Sequence, residues 1–255
     1  MGGFGNVLFL ILLNRVLLKK NHHVFYVNKL TKNNFLTNFL GLAVFQNIWD
    51  ELIDENKYKH VNQFSFYFYV FIGFLSKTLN VKNRIATYYK KGEQIENFIS
   101  SNIFGYFQDY NFLKRNQAEI LKLGNFLNTK YVLSKKKPIV VHFRKGDSVW
   151  AIKFAYYYDL VKKMLAKENS KILIITDNKD DASSFFKELN NIEIISSNND
   201  LDDFRFLISA NKLYCAPSTF SWWAAHSLSS NSEVVIPDFL TKSLGVYFKN
   251  KKSVI

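Results

Sequence analysis

From Pro138 to the C-terminus the chain alternates short apolar runs with amphipathic stretches, and this rhythm restricts the fold more than any other feature. The runs Ile139–Phe143, Ile172–Thr176, Ile192–Ile195, Leu213–Cys215 and Val234–Ile236 are rich in Val and Ile and too short for helices, so they read as strands. Between them, Phe154–Lys167, Asp180–Leu189, Leu201–Ala210 and Phe220–Leu228 carry apolar residues at helical spacing. Strand, helix and strand in repetition give a parallel sheet covered on both faces. The expected class of this half is α/β, a doubly wound parallel sheet.

The first half is less regular. A helix after Gly5, a strand at Val24–Val27 and helices around Phe35–Gln46 and Arg115–Leu127 suggest a second α/β unit with irregular insertions. The tract Thr129–Lys137, which ends in three lysines before Pro138, is the candidate linker, and it divides the chain into domains 1–132 and 133–255. A chain of 255 residues fits one large or two modest domains. With 48% hydrophobic residues, 22% charged, 3 Pro and 10 Gly, it is neither collagen-like nor disordered. A single cysteine, Cys215, excludes a disulfide framework and a thiolate metal cluster.

The net charge of +13 would suit a nucleic acid, an anionic membrane face or a phosphorylated small molecule. Only five of the 34 basic residues are arginines, however, and the lysines are scattered with no nucleic-acid motif among them. They read as a solvated surface, with no nucleic-acid partner and with peripheral contact to an anionic membrane as the next reading. Val7–Leu18 is broken by Asn14 and Arg15 and lacks a basic leader, so it reads as core rather than as a signal peptide. Phe64–Leu75 is twelve residues long, well short of the roughly 20 a spanning helix needs. It too reads as core, with interfacial contact as its alternative. The expected location is cytoplasmic, at most peripheral at the inner face of the membrane.

Open parallel sheets bind ligands beyond the carboxyl ends of their strands, where the strand order reverses. The segments at those ends are His142 to Asp147, Thr176 to Asn178, Ser196 to Asp203 and Pro217 to Ser221. Arg144 offers a planar, permanently charged fork suited to diphosphate oxygens, or else forms a structural ion pair with Asp147. Ser218, Thr219 and Ser221 stand where a helix begins, a setting that favours an anion although Ser and Thr are also ordinary caps. Together these two segments describe a diphosphate clamp. His142 stays open between a ligand contact and a structural role, and Trp222 and Trp223 read as core. Asp200 and Asp202 spell a carboxylate pair that could hold a divalent cation, but at a helix start they read as dipole caps. No metal is therefore expected. The glycine-rich turn ending at Gly5 and Asn6 could approach a phosphate, but lacks the dinucleotide-binding spacing.

Four blocks carry a family resemblance. His142-Phe143-Arg144-Lys145-Gly146-Asp147 resembles the H-x-R-R-G-D signature of the family 11 glycosyltransferases, the GDP-fucose-dependent α-1,2-fucosyltransferases. Ser218-Thr219-Phe220-Ser221-Trp222-Trp223-Ala224-Ala225 resembles their S-[ST]-F-S-W-W-x-A block. Gly2-Gly3-Phe4-Gly5-Asn6 is similar to their G-G-L-G-N motif, and Gly105-Tyr106-Phe107-Gln108 to their G-Y-[FW]-Q segment. Asp203 resembles the acidic position ahead of the S-F-S block in related fucosyltransferases. Lys145, Val7 and Asn178 depart from the family's arginine, glutamine and aspartate, and the chain begins at its glycine motif, so the usual preceding strand is expected to be missing or misassigned upstream.

The resemblance implies a GT-B fold, two Rossmann-like domains facing a cleft, with the donor held by the second and the acceptor mainly by the first. It implies inverting transfer of L-fucose from GDP-β-L-fucose to the 2-hydroxyl of a terminal galactose on a polysaccharide-type glycan, without metal or other cofactor. By residue-wise carry-over His142 and Asp203 address the guanine end and Arg144 and Ser221 the phosphates, with Ser218, Thr219 and Asn6 also on the donor. Asp147 is the candidate general base, or orients Arg144. Two alternatives remain: another nucleotide sugar on the same scaffold, and a non-catalytic basic protein associated with membrane or RNA.

Overall fold

The structure, a computed structural model, describes residues 4–19, 24–26, 58–60, 86–88, 102–104, 108–134, 137–144, 154–167, 171–197, 199–248 and 252–254, together with helical positions 68, 71, 72, 75, 78 and 79. The chain forms two compact units, Met1–Glu119 and Ile120–Ile255.

In the first unit, helix α1 (Phe4–Lys19) buries Phe4, Val7, Leu8, Phe9, Ile11, Leu12 and Leu13. Side chains buried this far around a helix belong to a core element rather than to a surface helix with one apolar stripe. Strand β1 (Val24–Tyr26) pairs in parallel with β2 (Tyr58–His60), and β3 (Ala86–Tyr88) pairs in parallel with β4 (Asn102–Phe104). The helix expected over Arg115–Leu127 is two helices, α2 (Tyr110–Arg115) and α3 (Gln117–Tyr131). The break is Asn116, whose side-chain amide donates to Phe112 O at 2.8 Å and so competes with the backbone ladder. α3 contains the junction of the two units and overruns the expected linker, because Thr129 is still helical and bonds back to Asn125 O at 3.0 Å. The helix expected at Phe35–Gln46 lies outside the described residues. Of the Phe64–Leu75 run, Phe68 and Phe71 are 46% and 58% exposed, which corrects its reading as core.

The second unit is built on a six-stranded parallel sheet. Its strands are β5 (Lys137–Phe143), β6 (Ile172–Thr176), β7 (Ile192–Ile195), β8 (Ala210–Tyr214), β9 (Glu233–Ile236) and β10 (Lys252–Val254). They lie in the order β10-β9-β8-β5-β6-β7. The chain thus starts at the centre, runs out to β7, returns to the far side of β5 and runs out again, which is the doubly wound order with its reversal between β5 and β8. All five residues of β6 are buried, as are Ile139, Val140, Val141 and Phe143 of β5, as expected for strands covered on both faces.

The connecting helices are α4 (Phe154–Lys167), α5 (Lys179–Phe185), α6 (Asp200–Ile208), α7 (Thr219–Ser227) and α8 (Asp238–Leu244). α4 packs Tyr157, Val161 and Met164 into the same core as Ile139, Val141, Ile172 and Ile174. Several boundaries differ from expectation, among them the end of α5, at Phe185 rather than Leu189. α6 stops at Ile208 rather than Ala210 because Ser209 Oγ bonds back to Arg205 O at 2.7 Å, and β8 begins three residues before Leu213. Gly124 on α3 explains its own cost in a helix interior: a Cβ there would lie 2.1 Å from His226 O, so only glycine admits the C-terminal turn of α7.

Candidate functional site

The reversal of strand order opens a crevice beyond the carboxyl ends of β5 and β8, and the two strongest sequence blocks lie on its two sides. On the β5 side, the register pairs Phe143 with Thr176. The next residue of each strand, Arg144 and Asp177, is therefore side by side, and Arg144 Nε lies 3.7 Å from Asp177 Oδ2 with side chains 32% and 42% exposed. Asp177 is a site residue the sequence reading passed over in favour of Asp147. The pairing follows from β5 and β6 being neighbours in register, which brings their carboxyl ends together. At this exposure and distance the pair adds little stability, so Arg144 is held near the crevice without being consumed by it.

On the β8 side, Ser218 is the extended N-cap of α7 and its hydroxyl accepts from Ser221 N at 3.1 Å. Ser218 Oγ and Ser221 Oγ are 3.2 Å apart, and Ser221 Oγ in turn bonds His142 Nδ1 across the crevice floor. All three side chains are buried. Burial, with the Arg144 charge second, pushes His142 down to about 3, so its imidazole is neutral and acts through hydrogen bonds alone. The positive end of the α7 dipole faces the same edge of the sheet, which favours a bound anion there.

The third segment joins through aromatic contacts. The Phe220 ring lies 5.5 Å from His142 and 5.6 Å from Phe204, which ties the start of α7 to β5 and to α6. Asp203 precedes Phe204 on α6, is buried, and accepts from Ser197 N at 3.1 Å and Ser197 Oγ at 2.8 Å, both through Oδ1. Burial pushes Asp203 up to about 6, against the opposing pull of the Ser197 hydrogen bonds. The helix cap is Asn199, whose side chain accepts from Leu201 N, so Asp203 is not the N-cap. Asp202 bonds Arg205 at 3.0 Å, and Asp200 stands exposed in the first turn. Asn178, where the resembled family has an acid, caps α5 by accepting from Asp181 N at 3.0 Å, a task Asn and Asp perform equally well.

The remaining members of the predicted site divide. Thr219 opens α7 beside Ser218. Asn6 lies on α1 in the first unit, where Gln108 Nε2 donates to its Oδ1 at 2.5 Å. The glycine-motif block and the G-Y-F-Q block, more than a hundred residues apart, thus meet at their last residues. Asp147 and Lys145 lie outside the described residues. Trp222 and Trp223 are fully buried, as expected of core. Trp222 Nε1 donates to Gly245 O at 2.8 Å, while His226 accepts from Tyr247 N through Nε2 and therefore donates from Nδ1 to Trp222 O. The W-W block is the packing that seats α7, and through it Ser218 and Ser221.

No family model matches the chain, and no curated protein matches it at a significant level. Among solved structures, the α-1,6-fucosyltransferase NodZ soaked with GDP-fucose is similar at TM-score 0.38 and 14% identity, over 89% of each chain. POFUT1 in complex with GDP is similar at TM-score 0.33 and 11% identity, over 92% of this chain and 73% of that one. At such scores the likenesses carry no argument, and the site rests on its own geometry.

Proposed function

We propose that the crevice between β5 and α7 holds the diphosphate of GDP-β-L-fucose, and that the protein transfers L-fucose with inversion to the 2-hydroxyl of a terminal galactose on a glycan. The observation that carries this reading is the meeting of the two most specific sequence blocks, His142–Arg144 and Ser218–Ser221, on opposite sides of the strand-order reversal. Cleavage of the sugar–phosphate bond leaves negative charge on the diphosphate. Arg144 would neutralise it directly, and the α7 N-terminus with the Ser218 and Ser221 hydroxyls would offer preformed dipoles that need no reorganisation.

Asp203 would read guanine through Oδ2, since Ser197 takes Oδ1 and a carboxylate oxygen accepts from the base's N1–H or N2–H. Asp147 is proposed as the base that takes the acceptor proton. Metal independence belongs to the same reading, since Asp202 is already engaged by Arg205. So does a GT-B arrangement with 133–255 on the donor and 1–132, Asn6 included, on the acceptor side. The deciding experiment is turnover of GDP-fucose, GDP-mannose and UDP-galactose across several galactose-terminated acceptors. Fucose transfer to galactose alone supports the reading, and turnover of another donor replaces it.

A further inference from the structure

Phe68, Phe71, Ile72, Leu75, Thr78 and Leu79 are all helical positions. Phe68, Phe71 and Leu79 are exposed, Leu79 by 67%, and Ile72 and Leu75 are half-buried. The one polar member, Thr78, donates its hydroxyl to Leu75 O at 3.0 Å, so its hydrogen bond is satisfied within the helix and it tolerates an apolar medium. Large aromatic and aliphatic side chains exposed close together in the sequence, as Phe68, Phe71 and Leu79 are, mark a contact surface.

The surrounding sequence says with what. From Lys57 to Lys91 the chain holds seven Lys and Arg residues and no Asp or Glu, although the whole chain has 21 acids. Exposed apolar side chains within an acid-free basic segment have the composition of a region that meets an anionic bilayer, apolar side chains in the headgroup boundary and basic ones on acidic headgroups. No helix among the described residues is long and apolar enough to cross a membrane. A nucleic acid would need the lysines but gives Leu79 and Ile72 nothing to enter. We propose that this region docks the protein onto an anionic lipid surface, through Phe68, Phe71 and Leu79. The proposal does not depend on the transfer reaction.

The test is co-sedimentation of the full chain with vesicles of phosphatidylcholine alone and of phosphatidylcholine mixed with phosphatidylglycerol. Binding is expected to the mixed vesicles only, weakened by salt, and reduced at least about tenfold by the double change Phe68→Ser and Phe71→Ser, since each removes an exposed aromatic whose apolar area would enter the bilayer interface. The melting temperature and GDP binding of that variant should match the wild type. In the milder Phe71→Trp protein, the added indole emission should shift to the blue on mixed vesicles. Equal binding of wild type and double variant, equal binding to both vesicle types, or RNA binding without vesicle binding would each overturn the proposal.

Discussion

The two sides of the crevice are built in different ways. On the β5 side stands one permanent charge, Arg144, a third exposed and loosely paired with Asp177. On the α7 side stand neutral, buried hydroxyls, fixed by one another and by the His142 imidazole of β5, and seated by Trp222. A charge at the rim can be changed without disturbing the core, whereas a buried hydroxyl cannot. Ligand and fold are thus separable on one side of the crevice and coupled on the other.

Arg144 gives the largest separation. Arg144→Lys should lower transfer by on the order of 10²–10³-fold, because an ammonium does not reproduce the bidentate fork aimed at the leaving diphosphate. Its melting temperature should stay at the wild-type value. Near-normal turnover would remove Arg144 from the clamp. Ser221→Ala should break the opposite way, costing stability as well as activity: about 1–3 kcal/mol is lost when buried His142 Nδ1 loses its partner. A Ser221→Ala protein that melts normally would show the two sides to be alike.

Asp203 lies between these cases. Asp203→Asn keeps an acceptor for Ser197 while removing the charge, and Asp203→Ala removes both. The account expects Asn to preserve the fold and Ala to destabilise it by about 1–2 kcal/mol; chemical denaturation of the pair decides, and equal losses would count against it.

The smallest net effect is pH linkage. His142 is lowered from 6.5 to about 3, so between those values the unfolded chain holds more protons and stability is lost as pH falls. Asp203 is raised from 3.8 to about 6, so within that window the folded chain holds more protons and stability is lost as pH rises. The two oppose each other. Removing His142 with His142→Gln should leave a protein that gains stability, relative to wild type, on going from about pH 7 to about pH 4.5. Urea midpoints at the two pH values measure this, and an unchanged difference would mean that His142 does not titrate as its burial requires.

Legibility in the sequence followed the same physics. β6 and β7 were readable to the residue, β6 because a strand held between two layers is an unbroken apolar run, β7 because its isoleucines outline a short run that only Glu193 interrupts. β8 was read three residues late, since Asn211 and Lys212 interrupt its pattern, and Lys212 is accommodated by a cross-strand Glu233 at 3.5 Å that composition does not reveal. The positions of Arg144, Ser218 and Ser221 at the crevice edge were legible because a place after a strand or before a helix is local. The Asp177 partner and the His142–Ser221 bond were not, since both depend on which strands become neighbours, and strand order is a property of the whole sheet. The N-terminal half gave least, because its strands are three residues long and carry too little periodicity to register.

The central claim is that a guanine nucleotide diphosphate sits at the strand-order reversal, held through phosphate by Arg144 and through base by Asp203. Titration calorimetry of GDP and UDP against wild type, Arg144→Lys and Asp203→Asn tests it directly. The account predicts that wild type prefers GDP, that Arg144→Lys weakens both nucleotides together, and that Asp203→Asn weakens GDP alone by about 2–3 kcal/mol, the loss of a charge-assisted contact. GDP affinity unchanged in both variants would contradict it.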